Sequence, residues 1–259
     1  MGSTKVPGPD NRDGMDAGAT DGNAATRASS RKRTVLIVLV SIFIVFALVI
    51  AAIPFVLTSI AGNTGVRVPA IEESRVSEAT TDVNGHWGVT NVPGPNASAV
   101  GFTFFEVLPG ERKVTSGSTQ GVTGSATVEG ETLQSAEVIV DMNNLTTDSD
   151  VRDVSVRETI LHTDEYPHST FTVTQPADLS GVPGDGTVGT VELTGELTIM
   201  GQTNELTHTF DIARSGDSMI IGGDIPINRL DYGVETPELV AATIDEEGEV
   251  NVRVKLVQN

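Results

Sequence analysis

Residues 145–171 read LTTDSDVRDVSVRETILHTDEYPHSTF, and this stretch decides how the rest of the chain is read. Around it, apolar and polar residues alternate in short runs, the period-two signature of half-buried strands. Here the alternation stops. Asp148 or Asp150 can cap a helix. Val151, Val154 and Leu161 fall close to one helical face. Pro167 ends the segment and pushes Tyr166 toward extended geometry. Strand patterning resumes at Ser169–Val173. The expectation is one helix inserted into an otherwise all-β chain.

Working outward, the β-like region begins at Gly85. Val100, Phe102 and Phe104 alternate within Ser98–Val107, and Val122, Gly124, Ala126 and Val128 alternate next. Ala136, Val138, Val140 and Met142 form a third inner face. After the helix come Phe171 and Val173, then Val191, Leu193, Leu197 and Ile199. Leu206, His208, Phe210 and Ile212 follow, then Met219, Ile221, Ile225 and Ile227, and last Val250, Val252, Val254 and Leu256. Met200-Gly201-Gln202 reads as a turn, Gly181–Gly186 as a loop, and Pro237–Glu249 as a long loop or short irregular element. About eight strands with hairpin-length connections suit an antiparallel barrel, which closes on itself and leaves no exposed edge. Such a barrel is filled by its own side chains or holds one small ligand. Periodicity does not choose between those cases, and it leaves a β-sandwich open.

Before the barrel lie three different segments. Residues 1–34 are rich in Gly, Asp, Ser, Thr and Ala, and read as a disordered tail that buries too little apolar surface to fold. Arg31-Lys32-Arg33 then precedes an uncharged apolar run, Val35–Leu57, long enough to cross the ~30 Å hydrocarbon core of a bilayer. The basic cluster on its N-terminal side predicts a cytoplasmic tail and an extracytoplasmic remainder. Residues 35–60 are thus expected to be a single transmembrane signal-anchor. The alternative is a secreted protein cleaved after Ser59-Ile60-Ala61, but the run is longer than the ~7–15 residues of a cleaved signal's apolar region. Residues 61–84 lack apolar periodicity and read as a linker. Residues 85–259 form the barrel.

The net charge of −19 comes from 16 basic and 35 acidic residues, and only four of the acidic ones precede Gly62. An ectodomain this acidic repels nucleic acid, whose binding needs phosphate neutralisation. There is no cysteine, which removes disulfides, thiolate catalysis and Cys-based metal sites. No Gly-x-Ser-x-Gly elbow, framed pair of carboxylates or Gly-rich phosphate loop is present. His162 and His168 flank Asp164 and Glu165, which are metal-capable types but read as surface residues. The sequence points to no enzyme and no metal site.

One ordered set of short motifs carries more. Gly85-His86-Trp87 and Ala99-Val100-Gly101-Phe102 come first, then Thr147 with Arg152-Asp153, and Tyr166-Pro167 with Phe171. Gly195-Glu196-Leu197-Thr198, Gly201-Gln202-Thr203 and Arg229-Leu230-Asp231-Tyr232-Gly233 follow. In this order they resemble the YceI-like, polyisoprenoid-binding family of bacterial proteins over roughly Gly85–Val257. The chain departs at Asn96-Ala97-Ser98, where many relatives carry a His-Ser pair, and in its expected anchor.

The resemblance implies a lipocalin-like barrel with an elongated apolar cavity, an isoprenoid lipid or isoprenoid quinone as ligand, no other cofactor and no catalysis. The inward-facing candidates for contact with such a ligand, which could equally fill the core, are Val100, Phe102, Phe104, Val138, Val140, Phe171, Leu193, Leu197, Phe210 and Ile221. Arg152-Asp153 and Arg229 with Asp231 are expected to fix the helix and a barrel end. The implied partners are the lipid and, through Val35–Leu57, the cytoplasmic membrane, with a homodimer left open. The alternative is a barrel packed solid, acting as an envelope interaction or stress protein without a lipid.

Overall fold

The structure, a computed structural model, describes residues 66–108, 111–236 and 243–259. The tail, the apolar run Val35–Leu57 and the start of the linker lie outside the described residues. Among the described residues, no helix is long and apolar enough to cross a membrane.

Eleven strands form the sheet: β1 Gly85–Val89, β2 Ala99–Leu108, β3 Glu111–Thr119, β4 Val122–Glu129, β5 Thr132–Asp141, β6 His168–Val173, β7 Ala177–Asp178, β8 Val188–Ile199, β9 Gln202–Ser215, β10 Ser218–Asn228 and β11 Thr243–Gln258. Eight of them close a ring in the order β1-β4-β5-β6-β8-β9-β10-β11, with β1 pairing back onto β11. Every ladder in the ring is antiparallel. The barrel expected from the sequence is therefore present, and three strands supplement it. The β2–β3 hairpin extends the wall above β1 by pairing with β11. The free side of β3 is met by Thr146, bridged to Ser118. The two-residue β7 joins one end of β5.

Alternation sets which face points in. Along β8, Val191, Leu193, Leu197 and Ile199 are buried while Glu192 and Glu196 are exposed. A one-residue slip would put glutamate into the core, so the register is strongly fixed. The β8–β9 hairpin turns through Met200 (φ 48°) and Gly201 (φ 72°), both left-handed as a two-residue type I′ connection requires.

The barrel has two unlike ends. At one end the chain turns at Gly130 and Gly216, and Trp87 seals the interior. Trp87 is 1% exposed, packs in one cluster with Val83, Leu179 and Val182, and donates its indole N–H to the Val83 carbonyl at 2.9 Å. At the other end lie the β8–β9 turn, the helix and the β2–β3 hairpin.

That helix differs from the expectation. The α-helical part, α1, spans only Asp150–Val154 and continues as a π-helical turn over Ser155–Ile160. Its first flanking residue is Ser149, not either aspartate. The π turn bonds the Leu161 N–H to the Val156 carbonyl, five residues back. This wider turn shifts the inward face, so Val156 and Leu161 are buried with Leu145, while Val151 and Val154 are exposed.

Two further boundaries move. The expected linker is packed onto the barrel from Arg67 onward. Val68, Ile71 and Val83 are buried, Arg67 pairs with Asp224 and Glu249, and Ala79 bridges to Gly216. Their isolated spacing leaves no period to detect. The expected loop Pro237–Glu249 is shorter, because β11 already begins at Thr243, with a register shift between Ile244 and Gly248. Gly248 lies against the Phe104 ring, where a Cβ would come within 2.3 Å.

Two exposed loop carboxylates are held in their charged form by local hydrogen bonds. The Asn84 backbone N–H, then its side chain, hold Asp82 below the usual carboxylate range, and the Thr187 hydroxyl, then its N–H, do the same for Asp185. Depressed folded values contribute stability above the unfolded pKa of about 3.9, and that stability is lost as pH falls through the folded values. Urea midpoints measured from neutral pH downward are expected to fall more below about pH 4 for the parent than for Thr187→Val, which lacks the hydroxyl donor to Asp185.

Candidate functional site

The inward faces do not meet across the barrel. They enclose a cavity of about 420 Å³, within the roughly 300–1,000 Å³ of small-molecule sites. The solid-core alternative is corrected here: Val100, Phe104, Val138, Phe171 and Ile221 face inward yet are only partly buried, because they border that space.

All ten residues singled out in the sequence line this cavity. Val100, Phe102 and Phe104 come from β2, Val138 and Val140 from β5, Phe171 from β6, Leu193 and Leu197 from β8, Phe210 from β9 and Ile221 from β10. Phe102 and Phe104 have ring centroids 6.2 Å apart, as do Phe171 and Phe210, both pairs tilted. Gly195 makes room for Phe171, since a Cβ there would lie 2.7 Å from its ring. His208 is not among the lining residues; its ring meets Phe210 edge-on at 4.9 Å.

Other lining residues were not among the ten candidates for ligand contact. Ile225, Ile227, Val250, Val252 and Val254 belong to inner faces already visible as alternation, and naming whole faces would have found them. Val156 and Ile160 belong to the π turn, where helical spacing misleads. Met142 and Leu145 follow β5 and carry the wall toward the helix.

Polar lining gathers at the helix end, where Glu106, Thr115, Arg152, Ser155, Arg229 and Thr236 surround what we term the mouth. The charges there are engaged in holding the rim. Arg229, 9% exposed, donates to the carbonyls of Val234, Asp245 and Ile244, tying the end of β10 to the start of β11. Arg152 pairs with Asp148 one helical turn away. Arg157 donates to the Leu145 carbonyl at 3.0 Å. The carboxylate of Asp153 accepts the Thr147 N–H at 2.5 Å and the Thr147 hydroxyl at 2.6 Å. These contacts match the expectation that the motif residues fix the helix and a barrel end. Hydrogen bonds to a charged group are worth about 1.5–3 kcal/mol. Asp153→Ala is accordingly expected to destabilise the helix segment by about 2–3 kcal/mol. Faster hydrogen exchange at Thr147 and Leu161, with the β8–β9 amides unchanged, would report it.

Among the described residues, no group of three or more metal-capable side chains converges. His162, at φ 44°, ends the π turn, and His168 opens β6 with its side chain exposed.

The model of the YceI-like domain matches residues 93–256. The chain belongs to the YceI-like domain family. Solved structures repeat the YceI-like fold. A polyisoprenoid binding domain from Saccharophagus degradans, implicated in plant cell wall breakdown, is 19% identical with a TM-score of 0.54, covering 67% of this chain and 98% of its own. BcnA from Burkholderia cenocepacia is 17% identical with a TM-score of 0.50, covering 61% of this chain and 94% of its own. At these identities the likeness concerns the barrel alone. No curated protein sequence matches the chain.

Proposed function

We propose that this YceI-like barrel binds the hydrocarbon chain of an isoprenoid lipid, on the outer side of a membrane to which Val35–Leu57 anchors it. The observation that carries the proposal is the cavity, about 420 Å³ and walled almost wholly by aliphatic and aromatic side chains. A polyisoprenoid is nearly all hydrocarbon, and each CH₂ moved out of water contributes about 0.8 kcal/mol. Charge is not needed to hold such a chain, and the arginines of the mouth are already engaged by carbonyls or Asp148. The polar rim suits a ligand whose head group stays at the entrance while its tail fills the barrel. Binding, carriage or sequestration of the lipid follows, with no bond made or broken. The Saccharophagus domain, described as polyisoprenoid-binding, supports the ligand class.

The full chain, purified from its native host, is expected to yield an isoprenoid lipid on extraction and mass spectrometry. Extracts free of isoprenoids, together with no saturable binding of an added polyprenol or isoprenoid quinone, would refute the proposal.

A further inference from the structure

We propose that Glu106 reads the ligand's head group and selects an isoprenoid with a free hydroxyl, an alcohol or a quinol, over a phosphorylated one. This rests on the lipid reading above and adds what the entrance accepts.

Glu106 breaks the character of its own wall. On β2, Val100, Phe102 and Phe104 line the cavity at every second position, and Glu106 is the next residue of that face. An apolar side chain there would simply extend the wall. A carboxylate brought to such a wall loses hydration and needs partners in return. Among the described residues its partner is neutral: the Thr115 hydroxyl on β3 donates to it at 3.3 Å. Lys113 stands opposite Glu106 in the hairpin register, but no ion pair joins the two. An ionised carboxylate only accepts, at about four lone-pair sites, and Thr115 takes one of them. Glu106 therefore brings acceptor capacity to the cavity mouth, and the complement to it is a donor.

The rest of the entrance agrees. Ser155 and Thr236 add neutral hydroxyls to the lining. The two cations there are held by other acceptors: Arg229 donates through Nε, Nη1 and Nη2 to three carbonyls, and Arg152 pairs with Asp148. A phosphate drawn into this mouth would meet Glu106 as a like charge, and such repulsion is strong where water is scarce. An alcohol or quinol O–H instead donates to the carboxylate, and a hydrogen bond to an ionised acceptor is about twice as strong as a neutral one. A quinone has only carbonyl acceptors and forgoes that bond.

The full chain in detergent is titrated with probes that share one prenyl tail: the alcohol, its methyl ether and its monophosphate, with the quinol and quinone run beside them. The parent is expected to hold the alcohol about 10- to 100-fold more tightly than the ether, the gain from one hydrogen bond to a charged group. Its lead over the monophosphate is expected to be larger still. Of the alcohol and the quinol, the one held more tightly identifies the hydroxyl source. Glu106→Leu, which removes the acceptor, is expected to erase the lead of the alcohol over the ether. Glu106→Gln keeps an acceptor without the charge, and is expected to tighten monophosphate binding about tenfold or more. The ether, which reports the tail alone, is expected to bind all three proteins equally. Equal affinity of the parent for alcohol and ether, or a lead that survives Glu106→Leu, would overturn the role of Glu106 and leave tail binding in place. A parent that holds none of the probes would overturn the lipid reading itself, and the head-group proposal with it.

Discussion

Trp87→Ala is expected to destabilise the barrel by about 3–5 kcal/mol, the range for removing a fully buried large aromatic. Trp87 is the chain's one tryptophan and sits on β1, a five-residue strand. That strand closes the ring, with three register pairs to β11 and four to β4. The truncation leaves a hole among Val83, Leu179 and Val182, and strips the Val83 carbonyl of its indole donor. It also loosens the strand that covers the edges of β4 and β11, and such edges are open to mispairing once uncovered. Urea unfolding followed by far-UV circular dichroism measures the loss. A change under about 1 kcal/mol, typical of surface sites, would contradict the role of Trp87 as the seal.

The second large effect concerns binding. Ala136 lines the cavity from β5, nearer the closed end and opposite Ala126 on β4. Ala136→Phe puts a ring where the tail of a ligand would lie. Displacing about four methylenes loses roughly 3 kcal/mol of transfer free energy. That corresponds to about 100- to 200-fold weaker binding. Because Ala136 borders the cavity and is only partly buried, the fold is expected to persist. Titration of a polyprenol in detergent reads the affinity. Equal affinity in the two proteins would place the ligand elsewhere.

The sequence made much of the wall legible, for a physical reason. A barrel strand has one face in and one face out, so β5, β8, β10 and β11 announce themselves by alternation. The strand β3 did not. Its buried positions are Thr115, Ser116, Gly117 and Thr119, while its one apolar side chain between Arg112 and Gln120, Val114, points outward. Polar side chains packed against a hairpin partner leave no hydrophobic period to detect. The strap is silent in the same way, since Val68 and Ile71 are isolated anchors. Helical spacing put Val151, Val154 and Leu161 on one face, but only Leu161 is buried, beside Val156 of the π turn.

Cavity and core share one sequence signature. Phe104, Val138 and Ile221 would read identically in a solid barrel, and the difference lies in how far apart the walls stand. Ring closure through β1 sets that distance, and the pairing of residue 87 with residue 258 is too remote for local patterns to reveal. The family motifs supplied what periodicity lacked. They proved to be scaffolding more than ligand chemistry, with Asp153 gripping Thr147 and Arg229 gripping three carbonyls.

Native mass spectrometry of the full chain, loaded with a polyprenol and compared with Ala136→Phe, tests the central claim most directly. One lipid retained by the parent and none by the variant is the predicted result, because lipid adhering to the apolar run Val35–Leu57 would be held equally by both. No retained lipid in the parent, or equal retention in the two proteins, would contradict a lipid-binding barrel.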